Sequence, residues 1–352
     1  MTAPSDPPAP GLAGDGGMLA VVGDLPRQVR EGYAAGLAAP GLPSVEGVRS
    51  IALLGMGGSA FPADLVQAQL EDRLGIPLVV SRGYRLPEFV HTDSLVLALS
   101  YSGNTEETVT QYRDAVARGS RVVALCSGGE LAARADEDGV ARVAVPATFP
   151  VPRSAGGYLT AAALGVLEAT GLGPAVGADV DESARVLAAA AARWGPEATP
   201  NPARDLAKRI GARTPLIWGS EGPTEAVALR WRTEVHENAK RPAFAAAFPE
   251  LDHNEIEGWG EGSGTGYFLV ILRAAADHPS VARRVAATLS AVEAAGLEHE
   301  EVWGTGKSPL AQALSLVLLG DYVSAYLAEA SGVDPLPTER IDAMKAILRK
   351  GA

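Results

Sequence analysis

Cysteine is nearly absent: Cys126 stands alone in 352 residues. That excludes an internal disulfide framework and any cysteine-rich metal site, and it points to a reducing, cytoplasmic compartment. Histidine is scarce as well. The five, at positions 91, 236, 253, 278 and 299, include no pair at HExxH or zinc-finger spacing, so a tightly bound catalytic metal is not indicated; no cofactor is expected. No uninterrupted apolar run reaches the roughly 18 residues of a spanning helix. The N-terminus has no basic segment ahead of an apolar one, so neither membrane insertion nor secretion is expected. Positive charge is in deficit, with a formal net charge of −12. This argues against a nucleic-acid or anionic-membrane partner and requires any anionic ligand to be held by a local cluster of donors.

What remains is an ordinary globular composition, 47% hydrophobic and 20% charged, in a chain long enough for two domains. Residues 1–17 read as a flexible tail and 18–47 as an N-terminal helical segment, its pattern running from Leu19 to Leu37 before Pro40-Gly41-Leu42-Pro43. Strands are expected at Ile51–Met56, Pro77–Ser81, Leu95–Ser100, Arg121–Leu125 and Ala141–Val145, separated by helices such as Ala60–Arg73 and Glu106–Arg118. Alternation of strand and helix predicts an α/β sandwich with a parallel sheet over 48–195. Further helices are expected at Leu159–Glu168 and Asp181–Trp194, and Gly195–Arg204, with three prolines, marks a boundary. A second α/β lobe over 203–336 opens with Thr214–Trp218, a glycine-rich loop and a helix at Glu225–Lys240. It continues through Phe268–Arg273, Val281–Ala295 and Ser308–Ala330, and residues 337–352 form a C-terminal helix.

Two strands of the first lobe run into small, hydroxyl-rich loops. Ile51–Met56 is followed by Gly57-Gly58-Ser59, and Leu95–Leu99 by Ser100-Tyr101-Ser102-Gly103-Asn104-Thr105. Glycines let backbone N–H groups approach an anion, and Ser59, Ser100, Ser102 and Thr105 add hydroxyl donors. A helical stretch follows each loop and contributes its positive end. In an open α/β sheet both loops fall at the ligand-binding edge, so Gly57, Gly58, Ser59, Ser100, Ser102 and Thr105 are expected to hold a phosphate. Taken singly, each loop also reads as a tight turn or an N-cap.

These loops resemble the sugar isomerase (SIS) domain and, together with motifs further along the chain, the bifunctional phosphoglucose/phosphomannose isomerase family. The resemblance rests on Gly55-Met56-Gly57-Gly58-Ser59, on Ser100 to Thr108, and on Pro152-Arg153. It continues through Glu237-Asn238-Ala239-Lys240, Phe248 to Glu255, and Ile341–Lys345. It covers nearly everything from residue 48 onward. Ala60 stands where the first loop usually has another glycine, and Ala239 where a serine is common.

Such a resemblance implies two SIS-type lobes and a metal-independent aldose-ketose isomerase acting on hexose 6-phosphates. Proton transfer between C1 and C2 through a cis-enediol needs one base that returns the proton it took, and the resemblance assigns it to Glu237. Ring opening falls to His253, whose residue type titrates near neutrality, together with Lys345. Arg153 would stabilise the enediolate. The family is dimeric with its histidine supplied across the interface, which implies a homodimer with His253 acting in trans. Glu250, Asn254 and Glu255 are expected behind the reacting groups or at an interface.

Without the resemblance, Glu237 reads as a helical surface residue pairing with Lys240 or Arg241, and Arg153 as a surface arginine behind a proline-rich loop. His253 then reads as a capped loop histidine and Lys345 as a solvated lysine, with Lys307 and Lys350 as competing lysines. Two rival functions share the phosphate loops: a non-catalytic sugar-phosphate sensor and an isomerase of a related amino-sugar phosphate. Residues 1–47 hold only Arg27 and Arg30 as cations, which does not suit a DNA-binding arm on a sensor.

Overall fold

The structure is a computed structural model that describes residues 17–351; the expected tail over 1–17 therefore lies outside it except for Gly17. The chain opens with helices α1 (Gly17–Gly23) and α2 (Leu25–Leu37). The pattern expected as continuous from Leu19 to Leu37 thus divides at Asp24, where Pro26 occupies the first turn of α2 without an N–H to continue the ladder. The first sheet follows as β1 (Ser50–Leu54), α3 (Ala60–Leu70), β2 (Leu78–Ser81), β3 (Ser94–Leu99), α4 (Glu106–Ala117), β4 (Arg121–Cys126), α5 (Gly129–Glu137) and β5 (Ala141–Ala144). Helices α6 (Gly156–Ala169), α7 (Gly177–Trp194) and α8 (Pro202–Ile210) lead to the second sheet. Its elements are β6 (Thr214–Ser220), α9 (Pro223–Ala239), β7 (Phe244–Phe248), β8 (Tyr267–Arg273), α10 (Pro279–Ala291) and β9 (Glu298–Trp303). Then come α11 (Pro309–Ala330) and α12 (Glu339–Gly351).

Both sheets are parallel throughout, in the orders β2-β1-β3-β4-β5 and β7-β6-β8-β9. Their central strands are apolar runs because each sheet is covered on both faces. Successive side chains alternate between faces, and the two faces feed different cores. Ile51, Leu53, Leu95 and Leu97 join a central core with α2, α6, α7, α9 and α11. Ala52, Leu54, Val96 and Ala98 pack instead against Val109 and Tyr112 of α4 and Leu131 of α5. In the second sheet Ile217, Val270 and Leu272 join that same central core, while Leu216, Trp218 and Ile271 face Val281 and Val285 of α10. The layers therefore run from α4 and α5 through the first sheet, a shared helical core and the second sheet to α10.

Helix α11 lies in that shared core. By length and composition it passes for a membrane span, and its most apolar window is wholly buried within the fold. Strands β7 and β9 were not anticipated. Phe244–Phe248 is mostly alanine, and β9 reads Glu-His-Glu-Glu-Val-Trp; both are edge strands, where the apolar run that marks a central strand is not required.

The two strand orders each reverse direction beside the first strand, between β1 and β3 and between β6 and β8. At such a switch point the connections leave in opposite directions and open a crevice beyond the carboxyl ends of the strands. The two serine-bearing loops leave the ends of β1 and β3 and so occupy the crevice of the first sheet.

Candidate functional site

The loop after β1 closes as a short 3-10 turn over Gly57–Ser59. Gly57 has φ +54°, a conformation L side chains rarely adopt. A Cβ on Gly58 would stand 2.8 Å from the nitrogen and 2.9 Å from the Cα of Arg153, so only glycine lets this loop press onto the arginine segment. Ser59 Oγ accepts the Tyr101 N–H at 3.1 Å, which ties the first loop to the second. In the second loop the Ser100 and Thr105 hydroxyls lie 3.0 Å apart. Ser102 Oγ accepts the Asn104 N–H, and Ser102 is exposed while Ser100 is fully buried. Thr105 precedes the first residue of α4, and its hydroxyl makes no cap bond to that helix. The six expected phosphate ligands thus form one connected patch at the β1/β3 crevice.

Arg153 follows in a 3-10 turn over Pro152–Ala155 and is 1% exposed, the opposite of a surface arginine. Its Nε donates to Asn238 Oδ1 at 2.9 Å and its Nη1 to Glu237 Oε2 at 3.0 Å. Nη2 donates to the carbonyl of Pro335 at 2.6 Å and reaches that of Leu336 at 3.5 Å. With its backbone against Gly58 and its guanidinium on Glu237, Arg153 bridges the serine loops and the expected base. Direct contact with a substrate oxygen would require the Pro335–Leu336 strap to yield its place on the guanidinium.

Glu237 lies near the C-terminal end of α9 and keeps about a quarter of its side chain open, at 23% exposure. Helix α9 ends because Lys240 adopts φ +55°. The surface pair expected between Glu237 and Lys240 does not form side chain to side chain. Lys240 Nζ donates instead to the carbonyls of Glu237, Pro335 and Pro337. Burial, then the neighbouring Arg153 charge, lowers the pKa of this ammonium. Arg241 likewise turns away, donating to the Gly211 and Arg213 carbonyls.

A cavity of about 400 Å³ opens over Glu237, lined also by His236, Lys240, Val333, Pro337 and Ile341. Its size falls in the range of small-molecule pockets, roughly 300–1,000 Å³. Lys345 is not in the lining, but it sits one turn beyond Ile341 on the same face of α12, about 6 Å further along the axis. Lys345 is exposed. Of the competing lysines, Lys307 donates its backbone N–H to Glu182 in the loop before α11; Lys350 is described only as part of α12.

His253 ends a 3-10 turn over Glu250–His253, beyond β7. It is exposed, lines no part of the Glu237 cavity, and its side chain has no hydrogen bond among the described residues. Its neighbours are engaged within the second lobe. Asn254 donates to Glu250 at 2.9 Å, Asp252 holds Arg284 and Thr288, and Glu255 accepts from Trp218 Nε1 at 3.1 Å. One chain therefore gathers the serine loops, Arg153, Glu237 and the start of α12, and leaves His253 apart.

Four further groups stand behind the pair. Arg230 and Glu234 of α9 and Asp321 of α11 form a buried ion cluster, and Asn238 links it to Arg153. Burial alone would lower the Arg230 guanidinium's pKa, but the Asp321 and Glu234 carboxylates outweigh it and raise it. Burial raises the Glu234 carboxyl's pKa to about 8 against the opposing pull of Arg230. The sequence signal for these groups was weak, since Arg230 and Glu234 at i and i+4 look like a solvated helical pair. Among the described residues no group of three or more His, Cys, Asp or Glu side chains is arranged to hold a metal ion.

Comparison with known proteins bears on this geometry. Residues 45–153 match the profile of the SIS domain, and residues 199–348 that of the bacterial phospho-glucose isomerase C-terminal SIS domain. The bifunctional phosphoglucose/phosphomannose isomerase of Caldicellulosiruptor bescii is 36% identical over 332 residues, covering 93% of this chain and 98% of that protein. The protein of the same description from Aquifex aeolicus is 35% identical over 306 residues, covering 86% of this chain and 92% of its own length. Among solved structures, a hypothetical protein of Thermus thermophilus superposes with a TM-score of 0.73 at 19% identity. That match covers 96% of this chain and 91% of the other.

Proposed function

This chain belongs to the bifunctional phosphoglucose/phosphomannose isomerase family of SIS-domain proteins, and on that premise we propose that it is a metal-independent aldose-ketose isomerase. It interconverts glucose 6-phosphate or mannose 6-phosphate with fructose 6-phosphate through a cis-enediol. The observation that carries this reading is Arg153, which presses its backbone on the phosphate loop at Gly58 and pairs with Glu237 at 3.0 Å. That contact supports the reading by joining the expected phosphate anchor and the expected base.

In this reading Gly57, Gly58, Ser59, Ser100, Ser102 and Thr105 hold the C6 phosphate. Glu237 takes the C2 proton of the open-chain aldose and returns it to C1, leaving the ketose; the reverse reaction moves it back. The Arg153 guanidinium offsets the negative charge that gathers on the enediolate oxygens. Because most substrate is cyclic, Lys345, one turn of α12 beyond the cavity lining, and His253 from a second copy of the chain open the ring first. The expected division of labour is then binding by residues 48–195, catalysis by 203–336 and ring opening completed by 337–352.

The test is direct. Purified protein treated with EDTA is given each of the three hexose phosphates, and their interconversion is followed. Turnover between fructose 6-phosphate and at least one aldose is the expected result. Binding of a hexose phosphate without any interconversion would overturn the enzymatic reading in favour of a sensor.

A further inference from the structure

The Arg153–Glu237 pair rests on a joint whose orientation is fixed from below. Asn238 Nδ2 donates to Glu234 Oε2 at 3.0 Å and to Ser324 Oγ at 2.8 Å. A carboxamide has its two donors on one nitrogen and its acceptor on the other arm. With both acceptors on one side, Oδ1 must face Arg153 Nε, where it accepts at 2.9 Å. Flipped, the amide would set its N–H groups against the guanidinium and leave buried groups unpaired. Asn238 and Ser324 are both fully buried, and Glu234 is 2% exposed, so water does not substitute for any of these bonds.

The cluster continues past Glu234. Arg230 Nη1 lies 3.0 Å from Glu234 Oε1, and Arg230 Nη2 donates to Asp321 Oδ2 and to the Arg153 carbonyl, each at 3.0 Å. Ser324 in turn donates to the Asp321 carbonyl, one turn back along α11. Arg153 is thereby held at both its backbone and its guanidinium. Two guanidiniums face three carboxyl groups, Glu234, Asp321 and Glu237. Arg153 Nε is 3.9 Å from Glu234 Oε2 and is kept for Asn238 by the amide's orientation.

We propose that Glu234 is a positioning residue: as the acceptor that orients Asn238, it aims the Arg153 guanidinium at Glu237. What Glu234 supplies to this end is an oxygen at one place; its charge is not required, since the neighbouring guanidiniums and carboxyl groups balance without it. This rests on the assignment of Glu237 as the base.

The experiment compares Glu234→Gln, Glu234→Leu and Ser324→Ala with the native full-length protein in steady-state isomerisation of fructose 6-phosphate. With its oxygen on Asn238, Glu234→Gln loses only the approach to Arg230 Nη1, a guanidinium still held by Asp321, and its kcat is expected within about threefold of native. Glu234→Leu removes the acceptor, and kcat is expected to fall at least tenfold with KM within about twofold, because the serine loops are untouched. Ser324→Ala, the milder change, keeps the fold testable if the leucine variant does not fold. It is expected to lower kcat severalfold, again without a matching change in KM. Native kcat in Glu234→Leu, or in Ser324→Ala where the leucine variant is lost, overturns the proposal. So does a glutamine variant as impaired as the leucine one, or a loss that appears in KM. A native protein with no isomerase activity overturns the functional reading along with this one; an active native protein beside insensitive variants overturns this one alone.

Discussion

Arg153 is the residue on which the site turns. A guanidinium offers five N–H donors in a rigid fork, and here the fork is spread over an amide oxygen, a carboxylate and the carbonyls of Pro335 and Leu336. Glu237 keeps an open flank, and the cavity lies over it. Glu237→Gln keeps the shape and an acceptor for Nη1 but cannot shuttle a proton. Isomerisation is expected to drop by about 10²–10⁴-fold, while a non-reacting sugar 6-phosphate binds within a few-fold of native by calorimetry. An undiminished rate would remove Glu237 from the role of base. Glu237, Arg153 and the serines were legible in the sequence because each sits in a short contiguous motif. Glu234, Arg230 and Asp321 were not, because Arg230 and Asp321 meet across 91 positions and no local pattern marks such a meeting.

Helix α9 carries the proposed base, Glu237, and its placement depends on how closely α11 approaches. Gly320 allows that approach: a Cβ there would lie 2.2 Å from Trp231 Nε1, whose N–H donates to the Leu316 carbonyl at 2.8 Å. Alanine favours a helix by about 1 kcal/mol over glycine, yet the Trp231 ring has no room to retreat from the shared core. Gly320→Ala is therefore expected to destabilise the protein by about 1–3 kcal/mol in denaturant unfolding; a gain in stability would show that α9 and α11 can part without cost. At its other end α9 meets α3 through carboxyl groups. Burial raises the pKa of Asp64 against the opposing pull of Arg82, and burial followed by the Asp64 and Glu221 charges raises that of Glu225. A carboxyl whose folded pKa exceeds its unfolded value holds its proton longer when folded, so stability declines as pH rises from the unfolded pKa through the folded one. Glu225→Gln should consequently raise the melting temperature at pH 7 and leave it unchanged near pH 3. An equal shift at both pH values would place the gain elsewhere than in ionisation. The central strands of both sheets were legible as apolar runs and the long helices by period. The alanine-rich β7 and charged β9 were not, since an edge strand draws its order from the neighbour it pairs with and not from its own side chains.

At the scale of the whole molecule, one chain presents an incomplete set of the proposed reacting groups. The serine crevice, Arg153 and Glu237 are joined through contacts, whereas His253 stands exposed outside the Glu237 cavity. Helix α12 is exposed from Glu339 to Leu348, with Ile347 at 70% and Leu348 at 58% exposure, so it offers an apolar face that the described residues do not cover. The proposed two-fold dimer, with each His253 seated in the other copy's site, would account for the histidine's position, because an isologous contact would complete both sites at once. Mixing separates this arrangement from sites built within one chain. Glu237→Gln and His253→Ala proteins are each expected to be nearly inactive on cyclic substrate. When they are combined in equal amounts and allowed to exchange subunits, half the dimers become mixed. Each mixed dimer holds one site with both defects and one site with neither, so activity should recover to about a quarter of native. Sites confined to single chains would carry one defect apiece in every combination, and the mixture would stay as inactive as its parts.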